Sequence, residues 1–411
     1  MVSTSSREIL VRGKDDFDSI KGRLQPGDCI VVADGVYPDW ELILEGRGTA
    51  AAPVEIRAET PGKAVFTAKS VLRLWGSYLQ ARGLLFKNGD ADIPWERVIW
   101  LEGDHLQVGH TAVMNHGSVH WIYIAEGSTY AEVHHCRFAH KRSRGQLFHA
   151  RETGDVEAFH DIHHNHFVDH NPTDTRWPLI TLQFGFGATR MRSICRHNLF
   201  EDNGVQPFCS KAAHIEVAEN VFRNCTRADV CFRGLPDNIL RDNLFLGDSG
   251  GTCNGVRFCG ERITVTGNVF KDLESAVILC AGCYGQDQEV REDEGGGRLQ
   301  FYATTKDGLI ENNRMINCKT AIWSGWQNPA GVDFEAPERI EITGNRVVGG
   351  EGPLVRMDFP IVDGTIRDNL CADRQQVMPG FDAGPLDRPD TECPLQWPFD
   401  PEGIGPDWQP S

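Results

Sequence analysis

The sequence predicts an all-β fold, a right-handed parallel β-helix (solenoid) with a short N-terminal capping helix. Two observations predict it: an Asn-X-apolar phrase repeats along the chain, and the segments between copies are short and β-branched, without long helical periodicity. The phrase recurs at Asn165, Asn198, Asn220, Asn243, Asn268 and Asn313, with weaker copies at Asn345 and Asn369. Successive spacings are 33, 22, 23, 25, 45, 32 and 24 residues, so the unit is 22 to 25 residues with insertions in the longer gaps. That period is too short for paired helices and too long for one hairpin. It suits one coil of short strands stacked about 4.8 Å apart.

Each element follows from this frame. The apolar slot two residues after the Asn, filled by Phe167, Phe200, Phe222, Phe245 and Phe270, is expected to stack inside, coil on coil. The Asn residues are expected to form a structural ladder at a tight turn, bonding the neighbouring coil and taking the left-handed backbone region themselves. Upstream, Phe17, Ile20 and Leu24 have helical spacing within Asp15 to Leu24, which predicts a helix covering the open end of the first coil. Strands are predicted over Cys29 to Val32, Val54 to Ala58, Ala64 to Thr67 and Tyr78 to Phe86. One solenoid domain is expected over residues 1–377. Residues 378–411, rich in Pro and Gly, are expected to run along its outside.

Composition narrows the function. Of 411 residues, 40% are hydrophobic and 24% charged, and Lys plus Arg at 41 against Asp plus Glu at 58 gives 41 − 58 = −17. That balance argues against a nucleic-acid partner, which requires clustered positive charge. No apolar run approaches the roughly 20 residues of a membrane span, and the N-terminus lacks a basic start followed by an apolar stretch. The expectation is a chain without a membrane partner, cytoplasmic as written, or periplasmic or secreted if a leader has been removed. Thirteen cysteines include a single Cys-X-X-Cys, Cys280 and Cys283, read here as buried structural thiols in a reducing compartment. The histidines His160, His163, His164, His166 and His170 lack the spacing of a metal motif. In a strand, His163 and His164 would also point to opposite sides.

Charge is uneven. Arg190 to Arg262 holds ten basic residues against nine acids, so this segment is +1 and the remainder −18. A locally positive groove in an acidic protein suits a polyanion. The acidic stretch from Gln286 to Gly297, inside the 45-residue gap, reads as an exposed loop or a lid over such a groove.

At this point the motifs resemble a known family. Gly35-Val36-Tyr37, Gly46-Arg47-Gly48-Thr49 and Pro53-Val54-Glu55-Ile56-Arg57-Ala58 are similar to the opening coils of polysaccharide lyase family six, which includes alginate lyases and the dermatan-degrading chondroitinase B. Ser210-Lys211, Arg233, Asn243-Leu244-Phe245 and Gly255-Val256-Arg257 follow its central pattern in order. The resemblance implies β-elimination at a uronic acid of an anionic polysaccharide, most simply alginate, with dermatan as the runner-up. It implies Lys211 as base and Arg233 as acid or stabiliser.

Spacing supports that pair independently. Lys211 and Arg233 lie 22 residues apart, the length of one coil. They are therefore expected as neighbours on one face, where a guanidinium disfavours the ammonium. Gln206, Arg257, His214, Arg190, Tyr284 and Trp323 are the candidate substrate contacts. Arg257, 24 residues after Arg233, is expected one coil further on. Calcium-dependent members carry acids before the Ser-Lys motif, where this chain has Asn203 to Cys209, so no calcium or other cofactor is expected. Two other classes fit such a solenoid: a glycoside hydrolase, for which Asp229 lacks a second acid, and a non-catalytic polysaccharide-binding protein.

Overall fold

In the computed structural model, the described residues are 7–154, 156–174, 179–186, 189–226, 230–247, 253–285, 300–373, 378–383 and 403–410. They form two compact units, residues 1–205 with 399–411, and residues 206–398. The stretch Gln286 to Gly297, Arg227 and Asp229 lie outside the described residues.

Both units wind in the same way. Three short strands make most coils, and nearly every strand pairs in parallel with its counterpart one coil on; Gly282–Gly285 and Gly331–Glu335 form a separate antiparallel pair. In the first unit, Cys29–Val32 pairs with Val54–Ala58, which pairs with Leu79–Arg82, and the line continues to Ile194–Arg196. In the second unit, Glu216–Ala218, Ile239–Arg241, Thr264–Thr266 and Leu309–Glu311 form the corresponding line. Such short strands suffice, because each coil's apolar side chains find partners above and below rather than along the strand.

The interior follows the repeat. Phe138, Phe167 and Phe200 stack with ring centroids 5.1 and 4.8 Å apart in the first unit. Phe222, Phe245 and Phe270 do so at 4.6 and 4.8 Å in the second. The Asn ladder also forms. The Asn243 side-chain oxygen accepts from the Asn220 amide at 2.9 Å, and that of Asn268 accepts from the Asn243 amide at 2.9 Å. One detail differs from expectation: the left-handed backbone belongs to the residue before each ladder Asn. These are His164, His197, Glu219, Asp242, Gly267, Asn312, Gly344 and Asp368, with φ between 54° and 68°. The turn needs the left-handed residue, and the Asn after it points inward to close the hydrogen bonds.

The N-terminal helix spans Lys14–Ile20 with a 3-10 turn to Arg23, and Phe17 is buried against Trp40. The predicted strand from Tyr78 to Phe86 is two strands, Leu79–Arg82 and Leu85–Gly89. Gly83, at φ 72°, turns the chain between them. Beyond residue 377, Phe381–Ala383 adds a strand to the second unit. In the first unit, Trp408 donates to the His110 carbonyl at 2.8 Å. No disulfide joins the twelve described cysteines, all buried, and no described helix is long and apolar enough to cross a membrane.

Candidate active site

The second unit brings the leading pair together. Strand Gln206–Ser210 pairs in parallel with Val230–Arg233, with Cys209 opposite Cys231 and Ser210 opposite Phe232. Lys211 and Arg233 are next in that register, so their backbones lie roughly 4.8 Å apart and their side chains leave the same face. Inward alternation puts Phe208 and Phe232 in the core.

The surroundings set the charge of Lys211. Burial holds its pKa below the ordinary lysine value, and the Arg233 guanidinium pushes the same way. A thiolate at Cys209 would oppose this, but Cys209 is hydrogen-bonded to Cys231 and buried, which drives its pKa well up. At neutral pH the Cys209 thiol is therefore uncharged, and burial, the largest influence, and Arg233 both favour the free amine, with Cys231 the smallest and opposing one.

Arg257 lies one coil on from Arg233, as its spacing predicts, but not directly opposite it. It pairs with Cys231, while Arg233 pairs with Cys259. Arg257 is thus diagonal to Arg233, one strand over and two residues along, roughly 8 Å between backbones. Aromatic rings hold both in place. The Arg233 guanidinium carbon lies 4.3 Å from the Tyr302 ring centroid and 5.3 Å from Phe301, and that of Arg257 lies 4.3 Å from Trp326. Each contact is worth about 0.5–2 kcal/mol, the more where water is excluded. Tyr302 is buried, which pushes its pKa up to about 12, so its hydroxyl stays protonated.

The other candidates occupy varied places. Trp323 shares the column of Arg257, two strands on. Its indole donates to Asp358 at 2.9 Å, and Arg356 lies over its ring. Tyr284 donates to Glu335 at 3.2 Å. Gln206 opens its strand five residues before Lys211, about 16 Å away along the chain. His214 takes left-handed backbone at the corner after Lys211, 4.0 Å from Asp237. Arg190 is exposed in the first unit. The positive segment also has a structural side: Arg241 pairs with Glu216 and Glu219, and Arg262 with Asp237 and Glu261. Tyr302 and Phe301 were missed in the sequence. They follow the long insertion, where no repeat gives register, and their only signal is an aromatic pair ending an acidic segment.

Lys211 and Arg233 thus stand side by side on a parallel β-helix, with a second guanidinium diagonal to them. The sequence model of the chondroitinase B family matches residues 11–349. The chain therefore belongs to that family, within polysaccharide lyase family six. No curated protein sequence matches it. Among solved structures it is similar to the family six alginate lyase AlyGC, at 23% identity and a TM-score of 0.82. That match covers 98% of this chain and 59% of AlyGC, so the chain spans well under two thirds of that enzyme. It is also similar to a mannuronic-acid-specific family six lyase from human gut microbiota, at 21% identity and a TM-score of 0.79, over 98% and 97% of the two chains. A third is a family six alginate lyase in complex with a trisaccharide, at 19% identity and a TM-score of 0.74, over 90% and 86%.

Proposed function

We propose that this chain cleaves a uronic-acid polysaccharide by β-elimination, with alginate as the substrate. The observation that carries the reading is the register of Lys211 with Arg233, joined to the lowered pKa of Lys211. The C5 proton passes to the Lys211 amine, the C4–O bond breaks with its electron pair leaving on oxygen, and a C4–C5 double bond forms. Arg233 stabilises the departing oxygen, which takes up a proton from solvent, and Lys211 then gives its proton back to solvent. Before the proton leaves, the adjacent carboxylate must be neutralised, and Arg257 and Arg233 suit that task. The alginate lyases among similar structures support alginate. The chondroitinase B family model favours dermatan as the second reading.

Among the described residues, the surroundings of the pair speak against calcium. The described outward neighbours of the pair along the strands are Cys209, Cys231 and Arg257, two thiols and a cation where calcium requires oxygens. Activity is therefore expected to survive a calcium chelator, and loss restored by calcium would contradict this. Incubation with alginate, polymannuronate, polyguluronate and dermatan sulfate tests the reaction class. An unsaturated, ultraviolet-absorbing product end supports elimination. A saturated end indicates hydrolysis, and binding without product indicates a carbohydrate-binding solenoid.

A further inference from the structure

In the first unit, far along the sequence from Lys211, two columns of imidazoles run side by side. His110, His135, His164 and His197 occupy the left-handed corner position of four successive coils, with φ between 48° and 54°. Ring centroids are 4.9 Å apart for His110 and His135, 4.8 Å for His135 and His164, and 4.9 Å for His164 and His197. The adjacent column is His134 and His163, strand-end residues stacked at 5.3 Å. Strand alternation would set His163 and His164 on opposite sides. Instead the strand ends at His163 and the turn begins at His164, so their Nδ1 atoms meet at 2.8 Å, as do those of His134 and His135.

A packing role alone does not account for this arrangement. Two imidazole nitrogens in such contact share one proton at most, and the pair is repeated on the next coil. At the upper pair a third ring joins: one nitrogen each from His110, His134 and His135 lie within 4.8 Å of one another. The His110 Nδ1 is buried and faces the Asp407 carboxylate at 3.1 Å. Gly109 makes room for the cluster, since a Cβ there would lie 2.5 Å from the His134 ring. A carboxylate supports the lower pair, where Glu132 lies 2.9 Å from His163 Nε2 and accepts from Gln107 at 2.9 Å.

We propose that His110, His134 and His135 form a binding site for one divalent transition-metal ion of the zinc class. Three neutral imidazoles are a donor set that suits zinc, copper or nickel rather than calcium. Tetrahedral zinc at about 2.05 Å from each nitrogen separates two ligand nitrogens by roughly 3.3 Å, so the His134–His135 pair opens by about half an ångström on binding. The half-buried rings leave a side open for a water or a further ligand. This site is independent of the Lys211 chemistry.

Calorimetric titration of the chelator-treated full chain with zinc tests the proposal, alongside the visible spectrum of the cobalt-loaded chain. One ion per chain and the intense bands of four-coordinate cobalt are expected. His134→Gln and His135→Gln should each weaken binding by more than the roughly 10- to 100-fold that an outer-shell change costs. His105→Gln, whose ring stacks between Tyr78 and Tyr130 instead, and Lys211→Ala should leave it unchanged. No stoichiometric uptake by the unaltered chain overturns the assignment whatever the variants do. So does uptake that persists in folded His134→Gln and His135→Gln chains.

Discussion

Replacing Asn243 with Ala tests whether the ladder holds the coils together. Asn243 is 1% exposed. Its side-chain oxygen accepts from the Asn220 backbone amide at 2.9 Å and the Asn220 side-chain amide at 3.0 Å. Its own amide reaches the Val217 and Arg241 carbonyls, both at 2.9 Å, and the Asn268 side-chain oxygen at 3.0 Å. Two N–H protons serve those three acceptors, so about four hydrogen bonds are lost. At about 1 kcal/mol each, with a buried amide left unpaired, the cost is roughly 3–5 kcal/mol. Urea unfolding and hydrogen exchange measure it. The midpoint should fall, and the Asn220 amide should exchange faster than amides two coils away. A loss below about 1 kcal/mol, with Asn220 still protected, would refute the claim that side chains rather than backbone pairing lock the turn.

Two further outcomes follow. Tyr302→Leu removes the ring over Arg233 while keeping an apolar side chain; turnover on a uronate polymer should drop about tenfold with the fold retained, consistent with a cation–π contact of about 1–2 kcal/mol, and unchanged kinetics would remove Tyr302 from the site. Acid should destabilise the first unit through His160, which is buried, accepts from the Ala131 amide at 3.1 Å and has a pKa held down to about 3. Its folded pKa lies below the unfolded value near 6.5, so the stability tied to the neutral ring is complete above about pH 6.5. It is lost as pH falls from about 6.5 toward 3, at about 1.4 kcal/mol per pH unit. His160→Gln should flatten that slope in chemical denaturation across this range, and an unchanged slope would contradict the assignment.

Much of the fold was legible because a solenoid writes its period into the sequence. The Phe slot and the Asn ladder needed only spacing. Lys211 and Arg233 were legible for the same reason, since their separation equals one coil. What the period does not carry is finer. Arg257 also lies about one period beyond Arg233, yet insertions between the strands put it opposite Cys231 rather than opposite Arg233. His214 followed Lys211 closely in sequence, but a left-handed corner turns it toward Asp237. The histidine columns were hidden because alternation assumes a strand, and His135 and His164 begin turns.

The most direct test is the rate of unsaturated-product formation from alginate by the intact chain and by folded Lys211→Ala, each followed across pH. The intact chain should gain activity with rising pH through an apparent pKa below that of an ordinary lysine, and the variant should lose about 100- to 10,000-fold in kcat. A variant that keeps its turnover, or a native profile with no such rise, would contradict Lys211 as the base.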